Sequence, residues 1–122
     1  MRNSPQDVHK KALGRAGERA AVKYLKKSGY KILKRNYRTA YGEADIVALD
    51  KDTVVFCEVK TRGSTQFGTP AEAVERHKRE RYVNIARDFL MRAGRDVNVR
   101  FDVIEVTDKG VNHIPAAFLA GE

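Results

Sequence analysis

The chain has 122 residues, enough for one domain with a moderate core, and its 42% apolar content is ordinary for a globular fold and excludes wholesale disorder. Lysine and arginine outnumber aspartate and glutamate by 24 to 16, and a surplus of +8 points to an anionic partner, with plain solubility as the alternative. Nucleic acid suits that surplus better than a membrane surface, because no segment joins a basic face to a bulky apolar one.

Cys57 is the only cysteine, so no intramolecular disulfide forms, and its apolar neighbours make it a small buried hydrophobe rather than a nucleophile. The chain has no apolar run of signal-peptide length and no stretch of roughly 18 apolar residues of the kind that spans a membrane. A cytoplasmic protein is therefore expected.

Ser4-Pro5-Gln6-Asp7 reads as a helix start, with Ser4 as N-cap and Asp7 at the capping-box position. Leu13, Ala16, Ala20, Tyr24 and Leu25 continue at helical spacing to a C-cap at Gly29. Gly14 and Gly17 each cost about 1 kcal/mol relative to alanine in such a helix, which a close approach to a neighbouring strand would explain. Glu18 falls one turn from Gly14, on the side expected to meet the sheet; taken by itself it also fits a solvated helix carboxylate.

Tyr30 to Arg38 is a first strand in which Lys31, Lys34, Arg35 and Arg38 interleave with Tyr37. Such a strand binds phosphates and stacks bases, or it is an edge strand protected by charge. After a turn over Thr39 to Gly42, the apolar runs Ala44 to Leu49 and Val54 to Val59 flank Asp50-Lys51-Asp52, the pattern of a buried hairpin.

Asp45, Glu58 and Lys60 sit inside or beside those apolar runs, where an ionised group costs several kcal/mol unless compensated. Strand alternation puts Glu43 and Asp45 on one face and Glu58 and Lys60 on one face. If the register aligns them, two carboxylates form a hard oxygen site for Mg²⁺ or Mn²⁺ beside an ammonium, which suits phosphodiester hydrolysis. A structural ion pair is the competing reading.

Thr61 to Gly68 is a polar, glycine-rich loop overhanging that end, in which Arg62 is a phosphate contact, Ser64 and Gln66 are weaker ones, and a plain linker is the alternative. Thr69-Pro70-Ala71-Glu72 is a capping box that opens a second helix, with Val74, Tyr82, Ile85 and Phe89 inward and Gly94 ending it. Lys78, Arg79, Arg81 and Arg87 make its other side basic, and Lys78 shares a face with Tyr82 four residues on. A solvated charge run and a core tyrosine would produce the same pattern.

Val97, Val99, Phe101 and Val103 alternate with polar residues in a fourth strand continuing through Val106. Asp102 there reads as structural, with metal ligation the lesser alternative. A turn over Thr107 to Gly110 leads to a short returning strand, Val111 to Ile114, and the tail after Pro115 reads as a short apolar turn. No linker, repeat or low-complexity segment divides the chain, so residues 1–122 form a single domain. Helix, three strands, helix and one or two strands favour a mixed sheet covered by helices.

The run Gly42-Glu43-Ala44-Asp45-Ile46-Val47-Ala48, followed by Glu58-Val59-Lys60-Thr61-Arg62, resembles the YraN family of small bacterial proteins. That family is itself similar to archaeal Holliday-junction resolvases within the PD-(D/E)XK nuclease superfamily. The resemblance extends from Gly17-Glu18 through Arg100-Phe101-Asp102-Val103. It implies an α/β, restriction-endonuclease-like core, a mixed sheet flanked by helices in the order αβββαβ with room for one further short strand.

By position, Asp45, Glu58 and Lys60 match the motif's Asp, Glu and Lys, and Glu18 matches the acidic residue of the first helix. Ala44 stands where the superfamily's name has proline. The resemblance implies catalysis through Asp45, Glu58, Lys60 and Glu18, with Mg²⁺ or Mn²⁺ held by Asp45, Glu58, Glu18 and the Val59 carbonyl. Some relatives carry a Gln and a Tyr facing the site where this chain has Lys78 and Tyr82.

The expectation is a metal-dependent, nuclease-like protein that binds DNA, branched DNA included, through Arg35, Arg38, Arg62 and Lys78. A non-catalytic nucleic-acid-binding module with the same fold is the alternative, and a protein-interaction subunit a third reading. Cutting a junction takes two coordinated incisions, so a homodimer would accompany that activity.

Overall fold

Val47 and Leu49 project from one side of the second strand and Ile46 and Ala48 from the other, so this strand is apolar on both faces and the sheet needs a helix on each. The computed structural model describes the backbone of residues 5–62 and 76–120, with side chains from residue 13 onward. The elements are α1 (Pro5–Lys27), β1 (Lys31–Thr39), β2 (Gly42–Asp50), β3 (Thr53–Thr61), α2 (Arg76–Ala93), β4 (Asn98–Thr107) and β5 (Gly110–Phe118). The five strands lie in sequence order, and only the β3–β4 pair is parallel. This is the restriction-endonuclease-like core the family resemblance implies, in the order αβββαββ. Ser4, Ser64, Gln66, Val74 and the Thr69–Glu72 capping box fall outside the described residues, as does the side chain of Asp7.

α1 lays Ala21, Val22 and Leu25 against Ile46, Ala48, Val55, Cys57 and Ile104. It ends in a Schellman turn: Gly29, at φ 92°, donates to Lys26, and Tyr30 donates to the Leu25 carbonyl. Gly17 has the close approach its position suggests, since a Cβ there would run into the Thr61 side chain of β3. Gly14 faces open space and has no such reason. Cys57 is fully buried under α1, and burial pushes its thiol pKa well up, as a buried hydrophobe requires.

On the other face, α2 sets Tyr82, Ile85 and Ala86 against Val47, Phe56, Phe101 and Phe118. A parallel β3–β4 pair needs a crossover, and α2 lies on it. This connection holds the helix over the β3 end that carries Glu58.

β5 differs from expectation. It runs to Phe118 instead of ending at Ile114, and the tail after Pro115 is strand, not a turn. Proline is tolerated there because β5 is an edge strand and the ladder shifts register opposite Asp102. Ala116 takes φ 51° at this irregularity, and its N–H donates to Asp102 Oδ1 at 2.9 Å. The strand is then long enough to stack Phe118 on Phe101, with centroids 5.0 Å apart.

Asp102 is fully buried and anchors a polar network on the α1 side of the sheet. Arg100 grips both its oxygens at 2.8 Å, His113 Nε2 lies 2.7 Å from Oδ2, and Arg100 also reaches Asp50 at 3.0 Å and the Tyr30 hydroxyl at 2.7 Å. The Tyr24 hydroxyl meets His113 Nδ1 at 3.1 Å, linking α1 to β5. Burial alone would raise the Asp102 pKa, but Arg100, His113 and the Ala116 N–H hold it below its ordinary value.

Asp102→Ala is expected to cost about 3–5 kcal/mol in urea unfolding at neutral pH, because Arg100 loses the charge that compensates it and the Ala116 N–H loses its acceptor. The depressed pKa means this stabilisation is complete above the unfolded-state value of about 4 and is lost as pH falls through the folded-state value. The penalty should therefore shrink only in acid; a constant penalty down to pH 2 would show that the carboxylate is not the source.

Candidate active site

β2 and β3 pair from the hairpin as far as Ile46 opposite Cys57 and then part, while β3 stays paired with β4 through Thr61. The next residues on the diverging strands are Asp45 and Glu58. Val59 N–H donates to Asp45 Oδ2 at 2.8 Å, so a side-chain oxygen takes up the backbone donor at the fork. Glu58, 6% exposed, points toward α2.

α2 supplies its partners. The Tyr82 hydroxyl donates to Glu58 Oε2 at 2.6 Å, and Lys78 Nζ donates to Oε1 at 2.6 Å. The same hydroxyl lies 3.3 Å from the Cys57 carbonyl and 3.4 Å from the Asp45 N–H. Lys60, on the same face of β3 as Glu58, brings its ammonium to 3.9 Å from Oε1.

These contacts set the electrostatics. Burial, then repulsion from Glu58, pushes the Asp45 pKa from 3.8 to about 7, against the pull of the Val59 N–H. Burial and the neighbouring Lys78 lower the Lys60 pKa, while Lys78, despite its own burial, is raised by Glu58. Burial and then the Glu58 charge send the Tyr82 pKa well up, so the phenol stays a hydrogen-bond donor.

Glu18 reaches the same end from α1. Its pKa is raised, by burial first, and it feels Glu43 and Glu58. With the Asn36 amide nitrogen turned toward the carboxylates, Asn36 donates to Glu43 Oε1 at 3.0 Å and Glu18 Oε2 at 3.2 Å. Nothing in the motif singles out Asn36; its φ of 51° in mid-strand is the local departure from strand geometry that accompanies its placement.

The expected phosphate contacts divide. Arg35 is exposed, with Glu18 in its field, and Arg38 is exposed and 3.1 Å from Glu43. Arg62 is 18% exposed and lies 2.8 Å from Glu105, though Nε is not aligned on Oε2 as a hydrogen bond. Lys78 points inward to Glu58, not outward with the basic side of the helix.

The model of the uncharacterised protein family UPF0102 matches residues 17–106, from the second half of α1 through the fork and into β4. The chain belongs to the UPF0102 family. A UPF0102 protein of Caldanaerobacter subterraneus is 45% identical over 119 residues, covering 91% of this chain and 98% of the relative. One of Alkaliphilus oremlandii is 49% identical over 115 residues, covering 88% and 98%, and one of Clostridioides difficile is 41% identical over 114 residues, covering 91% and 100%. This UPF0102 chain therefore spans its relatives nearly end to end, and the YraN resemblance read from its motifs is this family.

As a cation site the UPF0102 fork is open. Among the described residues, no three His, Cys, Asp or Glu side chains cluster closely enough to cage an ion. Asp45 and Glu58 nonetheless form a buried, mutually repelling pair of hard oxygen donors, which fits Mg²⁺ or Mn²⁺, ions that keep water or phosphate oxygens in their shell. Val59 contributes its N–H to holding Asp45 in place.

Because Asp45 binds its proton more tightly folded than unfolded, its contribution to stability is full below about pH 4 and is lost as pH rises through about 7. Asp45→Asn keeps an oxygen for the Val59 N–H and removes the repulsion. In EDTA at pH 8 the variant should melt several degrees higher than wild type, and the wild type's decline between pH 4 and 7 should flatten. A variant no more stable than wild type at pH 8 would contradict the strain assigned to Asp45.

Proposed function

We propose that this UPF0102 protein is a metal-dependent nuclease acting on DNA, branched duplexes included. The observation that carries the reading is the buried Asp45–Glu58 pair at the fork, two carboxylates whose mutual repulsion a divalent cation would relieve. Asp45 and Glu58, with Glu18 and the Val59 carbonyl, are the groups we assign to Mg²⁺ or Mn²⁺. Such an ion supplies an acidified water and neutralises charge on the phosphate.

The chain's own residues do the rest. Lys60, with its lowered pKa beside Glu58, orients the attacking water and stabilises charge on the phosphate. Tyr82 and the Val59 N–H keep the carboxylates from turning, a positioning role at 2.6 and 2.8 Å. Arg35 and Arg38, exposed on the β1 edge, hold the backbone of the duplex, and Arg62 would join them only by leaving Glu105. No described helix is long and apolar enough to cross a membrane, and we assign the activity to the cytoplasm, with a homodimer where both strands of a junction are cut.

Purified protein with Mg²⁺ or Mn²⁺ should nick supercoiled plasmid or cut a four-way junction, and EDTA should abolish the activity. Lys60→Met should lose cleavage by about 10²-fold or more yet keep the Mn²⁺-induced rise in melting temperature. Normal cleavage by Lys60→Met would remove Lys60 from the mechanism.

One observation favours a second reading, a non-catalytic nucleic-acid-binding module: Lys78 and Lys60 already compensate Glu58 without a metal. A module of that kind binds DNA equally well in EDTA and gives no Mn²⁺ heat in calorimetry. In either case affinity should fall steeply with salt, and Arg35→Ala with Arg38→Ala should lower the slope of log K against log salt by about 2. An unchanged slope would take these arginines off the phosphates.

A further inference from the structure

The Glu58 carboxylate has two oxygens in two different situations. Oε2 accepts from the Tyr82 hydroxyl, a neutral group anchored in the core, whereas Oε1 accepts from Lys78 Nζ at 2.6 Å with the Lys60 ammonium 3.9 Å away. Glu58 and Lys78 are both largely withdrawn from solvent, with side-chain exposures of 7% and 23%. The pair is therefore weakly screened, unlike a surface ion pair.

We infer that Lys78 is a resident counter-ion of the fork: it occupies the place on Glu58 Oε1 that a divalent cation would take, and it passes to a substrate phosphate when that cation binds. The inference rests on the metal-site reading above and deepens it. A divalent ion on Oε1 would stand beside the Lys78 ammonium, and like charges at contact distance in a partly buried, weakly screened site repel strongly. The ammonium gives way because it is attached by a flexible four-carbon stem, while Glu58 stays in register through Tyr82.

A displaced ammonium needs a new anion. Among the described carboxylates near this end, Glu43 already faces Arg38, Glu105 already faces Arg62, and Asp45 and Glu18 are assigned to the ion, so the phosphate brought to the metal is the fitting partner for Lys78. The consequence is linkage. DNA draws Lys78 away from Glu58 and so favours the metal, and the metal frees Lys78 and so favours DNA, by the same factor in each direction.

The test is Mn²⁺ titration by calorimetry, with and without a phosphorothioate duplex that resists cleavage, on wild type, Lys78→Met and Lys78→Gln. Lys78→Gln keeps a hydrogen-bond donor for Glu58 and guards against loss of the fold. Without DNA, both variants should bind Mn²⁺ about tenfold or more tightly than wild type, and the duplex should raise Mn²⁺ affinity by a larger factor in wild type than in the variants, where only direct contact between phosphate and ion remains. Lys78→Met should melt lower than wild type in EDTA and recover in Mn²⁺, because its uncompensated Glu58 is then paired with the ion. Equal or weaker Mn²⁺ affinity in both variants, with wild type binding normally, overturns the counter-ion role alone. No Mn²⁺ binding in wild type or either variant overturns the metal-site reading and this inference together.

Discussion

The parting of β2 from β3 after the Ile46–Cys57 pair is the constraint on which the rest of the site depends. A backbone donor released at that point cannot be left bare in the interior, and the Asp45 carboxylate accepts it. Asp45 is thereby held next to Glu58. Two like charges then share a poorly solvated space, which is why the cost appears as a pKa near 7 on Asp45. The fork is strained electrostatically and satisfied in hydrogen bonds.

The remaining architecture keeps the fork open at one end and closed everywhere else. β3 and β4 pair over nine residues in parallel, so the far side of β3 is sealed while its near side is free. The crossover between them carries α2 across the sheet, and one helical turn sets Lys78 and Tyr82 on the two oxygens of Glu58. On the opposite face, Gly17 lets α1 come down onto Thr61, and this contact brings Glu18 to the same edge. The buried Asp102–Arg100–His113 network fastens β4, β5 and the end of β2 together, and through Tyr24 it reaches α1. It supports the sheet from which the fork opens, and its charges are fully paired where those of the fork are not.

Much of this was legible in the residues. The double-sided apolar pattern of β2, the hairpin around Asp50-Lys51-Asp52 and the helix end at Gly29 follow from periodicity and turn chemistry that act over a few residues. Asp45, Glu58 and Lys60 stood out because charged residues interrupt buried strands, and all three lie at the fork. β5 was underestimated because Pro115 signals a stop, and only the edge position and the ladder irregularity opposite Asp102 make it tolerable.

Composition and local pattern thus determined the elements, the basic character and the carboxylates that required an explanation, because each rests on spacing along the chain. Tertiary structure alone decided which charges meet. Lys78 reads as one more cation on a basic helix, yet it turns inward to Glu58, since the crossover fixes the helix's rotation over β3. Arg62 reads as a phosphate contact and instead faces Glu105 on β4, a partner 43 residues away that only the parallel pairing brings alongside. Asn36 carries no signal of its own until the fold sets it between Glu18 and Glu43. Ion pairs are long-range choices among many possible partners, and the packing of the whole sheet makes the selection.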